Sequence, residues 1–182
     1  MLSAAMRLGT SALLRTGEFA VANPRQPDPH RLIQSDFTVG TSYHLLRLRA
    51  SKTDPFREGV SIPLLASELD TAMIRYDKFL TRKDDAPLFT WSSGLPLGRD
   101  EIVAAASQLV SAAGVPWKNA EGVHCRGVSF RKGGASSLAS VGTPDRVIQI
   151  VGRWKSGVFR QYIHESMDDL AAYFKRLHVV ST

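Results

Sequence analysis

The sequence predicts an α+β domain, mostly helical, with one small three-stranded antiparallel sheet. Period-two alternation of apolar and polar residues is confined to the stretch between Phe37 and Leu64. Apolar residues at three- and four-residue intervals dominate on both sides of it, and clusters of Gly, Pro and Asp separate the segments. A strand needs the first periodicity and an amphipathic helix the second, so the chain alternates between them only once.

The opening segment reads as a helix ending near Ala22, with Leu2, Met6, Leu13 and Leu14 as its apolar positions. Its acid-poor start, with Arg and Ser, also has the composition of a mitochondrial transit peptide. The next stretch, VANPRQPDPHRL, holds Pro24, Pro27 and Pro29 among polar neighbours and reads as a loop, because proline fixes its own φ and restricts the residue before it. Phe37 to Val39, Tyr43 to Arg49 and Gly59 to Leu64 follow as strands, with a turn at Ser51-Lys52-Thr53-Asp54-Pro55. Ala66 to Lys83 returns to helical spacing through Leu69, Met73, Tyr76, Phe79 and Leu80. After the turn-rich Asp84 to Gly98, a helix runs from about Arg99 to Ala113 and stops at Gly114-Val115-Pro116. Beyond the loop Trp117 to Gly127, helices are expected at Arg131 to Val141 and at Pro144 to Val151, the latter with Thr143 as N-cap and Pro144 at N1. A short helix from Gly157 to Ile163 and a last one from Met167 to Leu177 complete the chain.

The 182 residues and 43% apolar content suit one domain with its own core. The net charge of +6 favours a polyanionic partner without specifying one. A single cysteine, Cys125, excludes an intramolecular disulfide framework and any cysteine-pair zinc site. Phosphate-loop, serine-hydrolase-elbow and His-Glu-x-x-His patterns are absent from the sequence. So is any apolar run long enough to span a membrane, and the chain is expected to have no membrane partner and no secretion signal.

Several residues carry chemistry. In Arg15-Thr16-Gly17-Glu18-Phe19, a guanidinium fork matches two phosphate oxygens and a carboxylate three positions on can orient it; the same pair also suits a solvated helix face. Lys52, at a turn tip, can act as a general acid or simply be solvated. Arg131 is followed by Lys132-Gly133-Gly134-Ala135-Ser136, small residues that allow close helix packing or the approach of a nucleic-acid backbone. In Gly152-Arg153-Trp154-Lys155, the Trp154 indole N–H can donate to a phosphate oxygen or sit in the core with an internal partner. Tyr162, in Phe159-Arg160-Gln161-Tyr162-Ile163, is a nucleophile if cations and a placed phosphate activate its phenol, and otherwise a packed aromatic. Tyr43, Tyr76 and Tyr173 lack that setting and read as structural.

Taken in order, these segments resemble the catalytic domain of tyrosine recombinases (phage integrases), and Gly152-Arg153-Trp154 is closest in style to eukaryotic mobile-element members. The resemblance runs from Arg15 to Tyr162 and rests on the order of its elements more than on any one. It implies site-specific DNA recombination or integration, with Tyr162 attacking a phosphodiester to give a 3′-phosphotyrosyl link. Arg15, Arg131 and Trp154 would cradle the phosphate, Lys52 would protonate the leaving oxygen, and Glu18 would orient Arg15 from behind. It further implies double-stranded DNA as partner, a homo-tetramer on that DNA, and no metal or cofactor. The helix Met167 to Leu177 would be passed to a neighbouring subunit or packed on its own core. Residues 1–182 are expected to form a single catalytic domain, without the family's N-terminal DNA-clamping domain, in the nucleus of a eukaryote or otherwise in the cytoplasm. One departure stands out. Val128 occupies the place of the family's histidine, and an isopropyl group can neither move a proton nor bond a phosphate. His124, four residues earlier, is the candidate substitute. Two further readings stay open: a catalytically weakened recombinase-derived DNA-binding module, and a type IB topoisomerase-like enzyme of the same chemistry.

Overall fold

The computed structural model describes residues 1–26, 28–49, 59–65, 72–73, 75–76, 84–115 and 129–163. The first helix, α1, spans Leu2–Ser11 and stops well short of Ala22. Its end is a left-handed turn. Ala12 is the C-cap, Leu13 adopts φ +48°, and the Leu13 and Leu14 amides donate to the carbonyls of Thr10 and Gly9 at 3.2 and 2.8 Å. This double bond pattern satisfies the last carbonyls of a helix and normally recruits glycine. A second helix, α2 (Thr16–Phe19), then begins with Arg15 as its N-cap, so Arg15 starts a helix instead of lying within the opening one. The Glu18 carboxylate closes that cap by accepting the Arg15 backbone N–H at 2.7 Å.

The sheet is antiparallel in the order β1 (Phe37–Thr38), β2 (Tyr43–Leu48), β3 (Val60–Leu65). Phe37 pairs with Leu46, and Leu46 with Ile62. The register puts His44, Leu46, Leu48, Ile62 and Leu64 on the buried face, as period-two reading requires. Pro63 is tolerated because β3 is an edge strand. Tyr43, read as structural, is more than half exposed, because the same alternation turns it outward. Within the expected helix Ala66 to Lys83, Ala72, Met73, Arg75 and Tyr76 are helical; Met73 and Tyr76 are buried, and the Tyr76 hydroxyl accepts the Thr90 N–H at 2.8 Å. The rest of that segment lies outside the described residues.

Helix α3 (Arg99–Ala112) starts at Gly98, whose N–H is accepted by the Glu101 carboxylate at 2.7 Å. It ends at Gly114 in the left-handed conformation, φ +71°. Helix α4 covers Ser129–Ser140, so Arg131 lies in its first turn, and Gly142 at φ +77° ends it. Helix α5 spans Asp145–Val151, with Pro144 in place of Thr143 as N-cap. Pro144 has extended ψ, 139°, and its carbonyl accepts the first intrahelical bonds from Val147 and Ile148, which is what an N-cap residue does. A 3-10 helix, Gly157–Tyr162, follows.

The main core joins Leu8 of α1, Leu46 and Leu48 of β2, and Ile102 of α3. A smaller cluster of Leu13, Ala135, Ile148 and Phe159 ties the end of α1 to α4, α5 and the 3-10 helix. Gly134 makes the α1–α4 approach possible, since a Cβ there would collide with the Thr10 carbonyl oxygen and the Leu13 side chain. No helix among the described residues is long and apolar enough to cross a membrane.

Candidate active site

Two helix ends meet at the second cluster, and both are unusual in the same way. Helix α5 closes with the same turn as α1: Gly152 is its C-cap, and the Arg153 and Trp154 amides donate to the carbonyls of Ile150 and Gln149, each at 3.0 Å. The left-handed position is Arg153, at φ +57°, not the glycine beside it. Among the described residues, Leu13 and Arg153 are the non-glycine residues with positive φ. Side chains with a Cβ pay about 1–2 kcal/mol there. The strain sits where the arginines converge, the usual setting for a functional constraint.

The left-handed turn at Leu13 leaves its carbonyl to accept from two guanidinium groups. Arg131 donates from Nη1 at 3.1 Å and Arg153 from Nη2 at 3.3 Å. Arg131 is 2% exposed; its Nη2 donates to the Gly152 carbonyl, and its guanidinium lies 4.2 Å from the Trp154 ring centroid. Trp154 rests against Gly152, where any Cβ would overlap the indole, and meets the Phe159 ring in a tilted contact with centroids 5.8 Å apart. Phe159 belongs to the 3-10 helix that ends at Tyr162, so the packing of the tryptophan fixes the backbone segment carrying the tyrosine.

Glu18 binds the two halves of the site. One oxygen accepts Arg15 Nη1 at 3.1 Å, and the other accepts the Arg15 backbone N–H at 2.7 Å and Arg153 Nη2 at 2.9 Å. Arg153 Nη1 also donates to the carbonyls of Ala12 and Val151, both at 3.1 Å. Burial lowers the Arg153 pKa from its ordinary value; Arg15 adds to the effect and Glu18 opposes it. Arginine keeps its proton despite such shifts. Two guanidinium groups, those of Arg15 and Arg153, therefore share one carboxylate, and the Arg131 guanidinium joins them through the Leu13 carbonyl that it shares with Arg153. Such a cluster attracts an anion and holds it in low dielectric. Arg15 is the open member, with its side chain 32% exposed.

Arg15, Glu18, Arg131 and Trp154 are thus assembled as one constellation, with the Tyr162 backbone at its edge. Lys52, Val128 and His124 lie outside the described residues, as does the helix Met167 to Leu177. Lys52 belongs to the connection between the paired strands β2 and β3. Sequence reading missed Arg153, which holds Glu18; its only signal was an arginine beside Trp154 directly after a helix. Among the described residues no group of three or more His, Cys, Asp or Glu side chains is placed to hold a metal.

No protein-family model matches the sequence, and no curated protein matches it. Solved structures do. The chain is similar to the XerA recombinase, with a TM-score of 0.70 and 18% identity over 96% of this chain and 56% of that one. It is similar to the XerH site-specific recombinase in a post-cleavage complex with its palindromic difH substrate, with a TM-score of 0.69 and 15% identity over 94% of this chain and 44% of that one. The Tn1549 transposon integrase in complex with transposon right end DNA gives a TM-score of 0.51 and 17% identity, over 96% of this chain and 58% of that one. The fold is therefore that of a tyrosine-recombinase catalytic domain, α+β as expected. This chain spans about half the length of those proteins.

Proposed function

We propose that the chain is the catalytic domain of a tyrosine recombinase that cleaves and rejoins double-stranded DNA. The observation that carries this is the arginine cluster around Glu18, assembled beside the segment that ends at Tyr162. The fold shared with DNA-bound recombinases supports it. In this reading Arg15, with Arg131 and Trp154 behind it, binds the non-bridging oxygens of a phosphodiester and stabilises the pentavalent transition state. The Tyr162 oxygen bonds to phosphorus, the bond to the 5′ oxygen breaks, and Lys52 protonates the departing alkoxide. The phenolic proton passes to solvent, since Val128 offers no acceptor. The covalent phosphotyrosyl link retains the bond energy for rejoining, which works on two duplexes held by a tetramer.

The test is a nicked duplex that traps the covalent adduct. A protein–DNA adduct that disappears in Tyr162→Phe is the expected result; an adduct that survives this substitution, or none with the native chain, rejects the reading. A second reading, a recombinase-derived DNA-binding module with weakened cleavage, is favoured by Val128 and by the burial of Arg131. In the same assay it predicts no adduct, salt-dependent binding, and recovery of cleavage in Val128→His.

A further inference from the structure

Arg153 is held at more than one physical cost. It occupies the left-handed turn at φ +57°, where glycine is the ordinary choice. Its side chain is 9% exposed, and its Nε–H is a buried donor without a partner among the described residues. Buried donors in native proteins are nearly always satisfied. Of the other helices closed by this type of turn, α3 and α4 use Gly114 and Gly142 and carry neither cost, while α1 places Leu13 there and carries only the backbone one. The tip of Arg153 meets the carbonyls of Ala12, Leu13 and Val151 and one oxygen of Glu18. That same oxygen accepts the Arg15 backbone N–H, and its twin accepts the Arg15 guanidinium.

From this geometry we propose that Arg153 is a positioning residue: it fixes the Glu18 carboxylate, and through it the direction in which Arg15 presents its guanidinium to a phosphate. The inference rests on the recombinase reading above and assigns Arg153 a part in it. The task needs an arginine. Two terminal nitrogens reach four acceptors here, and a single ammonium nitrogen cannot reproduce that fork. Charge alone is therefore insufficient, and lysine at this position leaves Glu18 free to turn.

The experiment is a kinetic double-mutant cycle on the full chain, following adduct formation on the nicked duplex. Arg153→Lys is expected to slow cleavage at saturating DNA by about 10- to 100-fold, the usual cost of removing the partner that orients a functional side chain. The half-saturating DNA concentration should stay within about twofold, because the buried guanidinium makes no ground-state contact with DNA. The Arg15→Lys/Arg153→Lys double variant should be no slower than Arg15→Lys alone, since both act through one presented group. Native-like cleavage by Arg153→Lys, or losses that multiply, overturns the proposal. Should Arg153→Lys fail to fold, Glu18→Gln cuts the same link from its other side and takes its place in the cycle. If the native chain forms no adduct, the recombinase reading falls by itself, and the positioning role is decided by the Arg15 Nε–H resonance in DNA-free protein. Displacement of that resonance by Arg153→Lys, as by Glu18→Gln, supports the role; an unmoved resonance ends it.

Discussion

Glu18 is the residue on which the site turns, because it is the carboxylate shared by Arg15 and Arg153. Glu18 and Arg153 are both more than nine-tenths buried, so this pair differs from an exposed i,i+3 pair whose energy solvent screens away. Removing one partner of a buried pair leaves the other charge uncompensated, at about 3–5 kcal/mol. Glu18→Ala is therefore expected to lower the melting temperature by roughly 6–20 °C, read by calorimetry. A fall of under about 2 °C would show that the pair behaves as a surface one. The sequence suggests half of this arrangement. Arg15 and Glu18 are three positions apart, and local spacing reveals them. Arg153 is 135 positions from Glu18, and no periodicity reports a contact at that separation.

At the level of elements, the ends of helices decide what can be read. Gly114 and Gly142 mark the ends of α3 and α4 in sequence because they supply the left-handed residue themselves. Leu13 and Arg153 do the same work without the signal, so the first helix reads as continuous to Ala22 and nothing in the sequence marks Arg153 as the left-handed residue. The strands are easier, since burial of one sheet face forces alternation. The glycine pair in α4 is legible as small but not as two different positions. Gly134 packs against Thr10 and Leu13, whereas nothing lies within 4 Å of a Cβ built on Gly133. Gly133→Ala should therefore stabilise the chain by about 0.8–1 kcal/mol through helix propensity alone. Gly134→Ala should destabilise it by about 1–3 kcal/mol through overpacking. Denaturant titration of both variants checks the pair, and equal effects would mean that the α1–α4 contact does not depend on Gly134.

For the whole molecule, the order of chemical segments along the chain carries more information than any single motif, because a fold brings distant boxes together whatever their intervals. Composition adds only the net charge of +6, which says polyanion and not which one. The fold then divides that charge by depth. Arg15 is open to solvent, while Arg131 and Arg153 donate to backbone carbonyls inside. DNA affinity should register this division, since each phosphate neutralised at the surface releases counterions and contributes about 0.9 to the slope of log affinity against log salt. Arg15→Ala is expected to reduce that slope by about one contact's worth. Arg153→Lys should leave it unchanged, because its side chain faces Ala12, Leu13, Val151 and Glu18 instead of solvent. Fluorescence anisotropy across a salt series distinguishes the two. A slope that falls equally in both variants would mean that the buried arginine meets DNA directly, and the separation of a presenting arginine from a positioning one would have to be abandoned.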